Sequence, residues 1–244
     1  MNRPLVVEPR LPLCLQWTWP GRALVFMLAA TSIWCLLAEM YGLCDMRTFS
    51  LFILLPATFA LYGLGVLDRV RGDRRLWRAV IIGSLAGLAG AVAYDVFRLP
   101  FVFAREWGVA GFVPPMPLFR VFPRFGALLL GGPLEQPAYS LATHLLGWIY
   151  HFSNGATFGV MFAALIGEAS RRYRGGWLWG VLMAVGIEIC LLLSPYAKFF
   201  DIKLTPRFVV VTLAAHLVFG AGMGLYFAWH ARRWPHAARV TFAN

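Results

Sequence analysis

Apolar residues gather into six runs, separated by short polar or proline-rich stretches: Ala23 to Cys44, Thr48 to Leu67, Ala79 to Phe97, Leu141 to Gly167, Gly176 to Tyr196 and Phe208 to Trp229. Each is long enough for a helix to cross the hydrocarbon layer of a bilayer. The pattern therefore predicts an all-α, polytopic transmembrane helical bundle of six spans. Asp45-Met46-Arg47 is short enough to make the first two runs an antiparallel hairpin. From Leu99 to Ser140 the pattern breaks, because Pro100, Pro114, Pro115, Pro117, Pro123, Pro133 and Pro137 interrupt any continuous span. Aromatic residues with Arg105, Arg120 and Arg124 keep this segment amphipathic, so short helices lying in the membrane interface are expected there.

The chain divides accordingly. Residues 1–75 form a lead-in and transmembrane hairpin, 76–232 a four-helix membrane core containing the periplasmic-side segment 99–140, and 233–244 a cytoplasmic tail. Composition agrees: of 244 residues 60% are hydrophobic and only 14% charged, too little charge for an ordinary soluble domain. Arg3, Arg10 and Arg22 ahead of the first run resemble a secretory signal, but five further apolar runs follow, so a retained first helix is expected. Trp17 and Trp19 suit the headgroup layer at its start.

The net charge of +11 sits in clusters between apolar runs, which favours lipid headgroups and topology signals over nucleic acid. The densest cluster runs from Asp68 to Arg78; Arg171, Arg172 and Arg174 form another. With both termini inside, 14 Lys and Arg fall on the inner side and 8 on the outer. The expected topology is N-in and C-in, and the expected location a bacterial inner membrane, crossed several times. Cys14, Cys35, Cys44 and Cys190 show no metal or disulfide spacing.

Candidate chemistry lies in a repeat. His151-x-x-x-Gly155-x-x-x-Gly159 returns 65 residues later as His216-x-x-x-Gly220-x-x-x-Gly224. A spacing of four places all three residues on one helical face, an imidazole above a groove of small residues suited to close helix packing. Gly83 and Gly87 give the third run a similar face. Rising about 1.5 Å per residue, His151 lies roughly 14 Å below the outer face and Glu188 roughly 17 Å above the inner one. His216 lies at the depth of His151. These three define a candidate midplane polar site, with Asn154 and Thr212 one turn away; ionisable groups at that depth mark functional sites by default. Glu39, Asp95, Arg98 and His144 are candidate polar groups towards the outer side, Asp95 and Arg98 being spaced to pair along one helix.

The stretch Gly83 to Gly90, the segment Pro123-Arg124-Phe125-Gly126-Ala127-Leu128-Leu129, the lead Gly147-Trp148-Ile149-Tyr150-His151 and the closing His216 repeat resemble the YagU-like group of bacterial inner-membrane proteins, a domain family of unknown function. The resemblance spans about residues 76–232. It implies a fold and a location and brings no catalytic residues with it. A second likeness is to rhomboid intramembrane proteases, whose histidine helix is similar to Ala215-His216-x-x-x-Gly220-x-x-x-Gly224. Those enzymes require serine in Gly-x-Ser-Gly, which this chain lacks, as it lacks a Walker loop, a His-Glu-x-x-His pair and a dinucleotide fingerprint.

No catalytic set is therefore assigned. The leading expectation is a non-catalytic inner-membrane protein, an accessory or assembly subunit or a binding module, in contact with lipid and other membrane subunits. The alternative is proton or small-solute transport through the midplane site. A further alternative makes His151 and His216 axial ligands of a b-type haem; a zinc or iron site on the same residues lacks close ligand spacing.

Overall fold

The computed structural model describes residues 17–71, 74–172 and 175–233, and no side chain of residues 168–172. The lead-in up to residue 16, Gly72 and Asp73 in the basic cluster, Glu168 and the Arg171 to Arg174 cluster as side chains, and the tail from residue 234 lie outside what is described. Among the described residues every regular element is helical.

Helix α1 (Trp19–Met40) starts with Pro20 in its first turn, where the missing N–H costs nothing. Helix α2 (Met46–Phe49) begins at Asp45, whose carboxylate accepts the Thr48 N–H at 2.8 Å. It runs through a π-helical turn, Ser50–Leu54, into α3 (Leu55–Arg71). The wide turn immediately precedes Pro56, which cannot donate to the turn behind it. Helix α4 (Arg75–Val102) is capped by Asp68, which accepts the Trp77 N–H at 2.9 Å. It carries Pro100 inside its last turns, so the chain stays helical two residues past that first expected break.

Between α4 and α6 the chain forms a single helix of nine residues, α5 (Val121–Leu129), rather than several. It packs on the first turns of α6 (Leu141–Arg172) with Phe122, Arg124, Phe125 and Ala127 buried. Gly126 and Gly147 make this approach: a Cβ at either would overlap the Thr143 or Phe122 carbonyl. Helix α7 (Leu178–Leu193), the four-residue α8 (Tyr196–Phe199) and α9 (Pro206–Ala231) complete the chain. Thr205 caps α9 by accepting the Phe208 N–H.

Five helical stretches are long and apolar enough to cross a membrane, namely α1, the α2–α3 rod, α4, residues 141–167 of α6, and α9. Their exposed apolar side chains, such as Phe52, Phe59 and Ile149, suit contact with lipid. At 16 residues α7 is shorter, about 24 Å against the roughly 30 Å of a bilayer core.

Helices α4, α6, α7 and α9 share a core around Phe162, Met223 and Phe227; α1 and α3 add a second around Val25, Leu61 and Val80. Helix α1 is tied to α6 by Arg22, which donates to the Ala164 and Leu165 carbonyls at 2.6 Å each, and by the Ser32 and Thr157 hydroxyls 2.6 Å apart. Thr157 also reaches the Ser153 and Asn154 carbonyls at 3.0 Å, so it keeps partners without Ser32. Ser32→Ala should therefore lower stability by only about 1 kcal/mol, measured as a shift in the unfolding midpoint in detergent.

Candidate functional site: two acid–histidine pairs in a tandem helix repeat

The site rests on two helix pairs built on one plan. Helices α4 and α6 cross antiparallel with backbones in contact. A Cβ at Gly83 would stand 2.8 Å from the Gly159 carbonyl oxygen, and one at Gly87 would overlap the Gly155 carbonyl. Helices α7 and α9 do the same at Gly180, where a Cβ would stand 2.6 Å from the Gly220 oxygen and 3.1 Å from Gly224. In each pair an acidic residue lies eight positions beyond the contact glycine: Asp95 after Gly87, Glu188 after Gly180. Eight residues is a little over two turns, so glycine and acid share a face. Each acid thus meets the histidine four residues before the first glycine of the partner helix.

In the first pair His151 Nε2 lies 2.8 Å from Asp95 Oδ2, and the carboxylate accepts. In the second, His216 Nδ1 lies 2.9 Å from the Thr212 carbonyl oxygen and 3.2 Å from Glu188 Oε2. Both of those atoms accept, so the proton of neutral His216 sits on Nδ1. Thr212 is placed beside Glu188, its hydroxyl donating to the Val209 carbonyl at 3.2 Å. The helices α6 and α9 run in the same direction, each antiparallel to α4. The repeat is thus parallel rather than inverted.

Tyr94 joins the two halves. Its ring centroid is 6.0 Å from that of His151 and 5.0 Å from that of His216. Arg98, one turn on, lies 4.6 Å over the Tyr94 ring. Its Nη1 reaches Asp95 Oδ1 only at 3.5 Å, while Nη2 donates to the Leu118 carbonyl. Phe122 of α5 stacks on His151 with centroids 4.3 Å apart, and so fixes the imidazole plane.

The halves do not close equally. Helix α4 packs along much of α9, whereas α6 meets α7 at only a few positions. A cavity of about 590 Å³ occupies the part of that seam nearer α5. Its wall includes Arg98, His151, Asn154, Glu188, Thr212 and His216, and it reaches α5 and the chain between α7 and α9 at Arg124 and Lys203. The five expected midplane residues therefore line one space. Asn154 Oδ1 is buried there without a hydrogen-bond partner.

Asp95 and Arg98, set apart in the sequence only by their depth along the chain, belong to the same cluster as His151. The cause is the close α4–α6 crossing, which carries Asp95 onto His151. Glu39 and His144 stay outside it. The Glu39 carboxylate accepts the Met46 N–H at the α1–α2 turn, and His144 lies edge-on to Tyr139, 6.3 Å between centroids. Two residues with no part in the expected site, Tyr94 and Arg124, line the cavity. The acid at the eighth position after a contact glycine is the sequence signal that picks out Asp95 with Glu188.

An axial histidine pair does not fit this arrangement. His151 Nε2 is held by Asp95, and Tyr94 approaches both imidazole rings. Among the described residues no group of three or more His, Cys, Asp or Glu is placed to hold a metal ion. Comparison of the chain with models of known families, with curated proteins and with solved structures finds no match.

Proposed function

We propose that this chain is a membrane-embedded binding module that holds a small solute in the cavity between its two helix repeats. The observation that carries this reading is the 590 Å³ cavity whose wall holds His151, Glu188 and His216. Its size lies within the roughly 300–1,000 Å³ typical of small-molecule sites. A structural role for the histidines alone requires no such space, because hydrogen-bonded pairs can be packed dry. The sixth crossing is assigned to α7 together with α8 and the chain to Thr205, since α6 and α9 run parallel and the polypeptide must return between them. Six crossings would put both termini on one side, and the charge bias supports the cytoplasmic side for them. The resemblance to YagU-like inner-membrane proteins agrees with such a four-helix core, and a bacterial inner membrane is the location proposed.

The test is native mass spectrometry of the protein released from its own membranes. Wild type should carry a stoichiometric small molecule that Leu191→Trp, which fills the cavity wall, does not retain. A ligand-free wild type, or retention unchanged in Leu191→Trp, would overturn the reading.

Transport of a proton or small solute is the second reading, favoured by a site lying between parallel repeats with acid–histidine pairs at its wall. Proteoliposomes under a pH gradient should then show flux that falls in His151→Ala and His216→Ala; no flux above empty liposomes removes it. An accessory role in a larger complex gains no separate support, since the exposed apolar faces suit lipid equally well.

A further inference from the structure

Two arginines in the cavity wall are buried to an unusual degree, Arg98 being 4% and Arg124 2% exposed. Arg98 makes two hydrogen bonds, the 3.5 Å contact to Asp95 and the bond to the Leu118 carbonyl. Arg124 also makes two, to the Phe200 carbonyl and to Glu135. A guanidinium offers five N–H donors, so three on each side chain have no acceptor among the described residues. The Nε of both is buried and unpartnered. Unused donors in a buried position are costly and are normally satisfied.

The charges near them are not matched one to one. Arg120 also reaches Glu135, at 3.6 Å, so Arg98, Arg120 and Arg124 share the two carboxylates of Asp95 and Glu135. Asp95 is held more closely by His151, at 2.8 Å, than by Arg98. Lys203 and Asp201, both exposed, also line the cavity and offset one another in charge, and Glu188 is beside His216. The α5 end of the cavity thus carries a cationic excess. Much of the remaining wall is apolar, with Ile33, Phe158, Ile187, Leu191 and Phe208. It lies along the loosely packed α6–α7 seam, beside which Ile149 and Leu193 are exposed for contact with lipid.

We infer that the cavity binds a single-chain amphiphile with an anionic head, a carboxylate or phosphate monoester seated at Arg98 and Arg124 with its chain along Leu191 and Phe208. The inference rests on the cavity being a binding site, as proposed above. Planar guanidinium donors are matched to such oxygens, and the apolar wall accounts for the tail.

The protein in phosphatidylcholine nanodiscs is titrated with radiolabelled dodecanoate, dodecyl phosphate, dodecyltrimethylammonium and inorganic phosphate, with empty nanodiscs as blank. Saturable one-to-one binding of dodecanoate or dodecyl phosphate is expected, weakened at least tenfold in Arg98→Gln and Arg124→Gln. Should either arginine variant fail to fold, Leu191→Trp keeps every charged group and should abolish the same binding. Equal binding of the ammonium amphiphile overturns the anionic head but leaves the cavity as a binding site. Phosphate binding as tightly as dodecyl phosphate overturns the tail and assigns a free-anion site. No saturable binding of any probe overturns the inference, and a ligand-free wild type in native mass spectrometry then overturns the binding module as well.

Discussion

Gly87→Leu is expected to stop α4 and α6 from closing and to lower stability by about 3 kcal/mol or more, the upper range for forcing volume into a packed interface. The side chain would begin on top of the Gly155 carbonyl, and the Gly159 amide nitrogen would lie 2.9 Å from its Cβ. Both are backbone atoms of a helix that is itself pinned by α1 and α5, so no rotamer change relieves the overlap. Leucine is a good helix former, so the loss cannot come from propensity. Gly63→Leu is the control: nothing lies within 4 Å of a Cβ there, and its change should stay within about 0.5 kcal/mol. Denaturant titration in detergent, following helix content, measures both. Similar losses at the two glycines would show that α4 and α6 do not meet along this face. Because Asp95 sits two turns along the same face, Gly87→Leu should also weaken any ligand binding that depends on His151.

Asp95→Ala is expected to cost about 3–5 kcal/mol, the range for removing one member of a buried ion pair. Alanine strands Arg98, which has no other carboxylate in ion-pair range among the described residues and is surrounded by Tyr94, Phe119 and Phe122. His151 loses its 2.8 Å partner in the same step. Removing both charges, in Asp95→Leu with Arg98→Met, should recover most of the loss, since an uncompensated charge rather than a missing attraction is the dominant cost. A double-mutant cycle on unfolding free energies reads the coupling. Additive effects of the two substitutions would mean that Asp95 and Arg98 are not a buried pair.

Much of the architecture is written along the chain. Apolar runs too long and too continuous for a soluble core give the helices and nearly their limits: the run Ala79 to Phe97 becomes α4 with an extra turn at each end, and Phe208 to Trp229 becomes α9. Those limits follow from local chemistry, a proline in the first turn of α9 and a carboxylate cap on α4. The run from Gly176 to Tyr196 is shorter as a helix, because Ser194 is extended and Pro195 starts a new turn. The region 99–140 was less legible. Its prolines announce breaks, but α5 owes its position to Gly126 and Gly147, glycines whose meaning depends on the carbonyls opposite.

By itself the sequence determined helical, membrane-suited segments, the histidine repeat and the small-residue faces, since these depend only on hydropathy and on the 3.6-residue period. The tertiary structure decided which groups meet. Depth along separate helices does not say whether Asp95 meets His151, whereas the space left by glycine lets two backbones touch and brings those side chains to 2.8 Å. It also decided that α4 closes against α9 while α6 stays apart from α7. That asymmetry between two similar repeats is what leaves a cavity, and no period within either repeat encodes it.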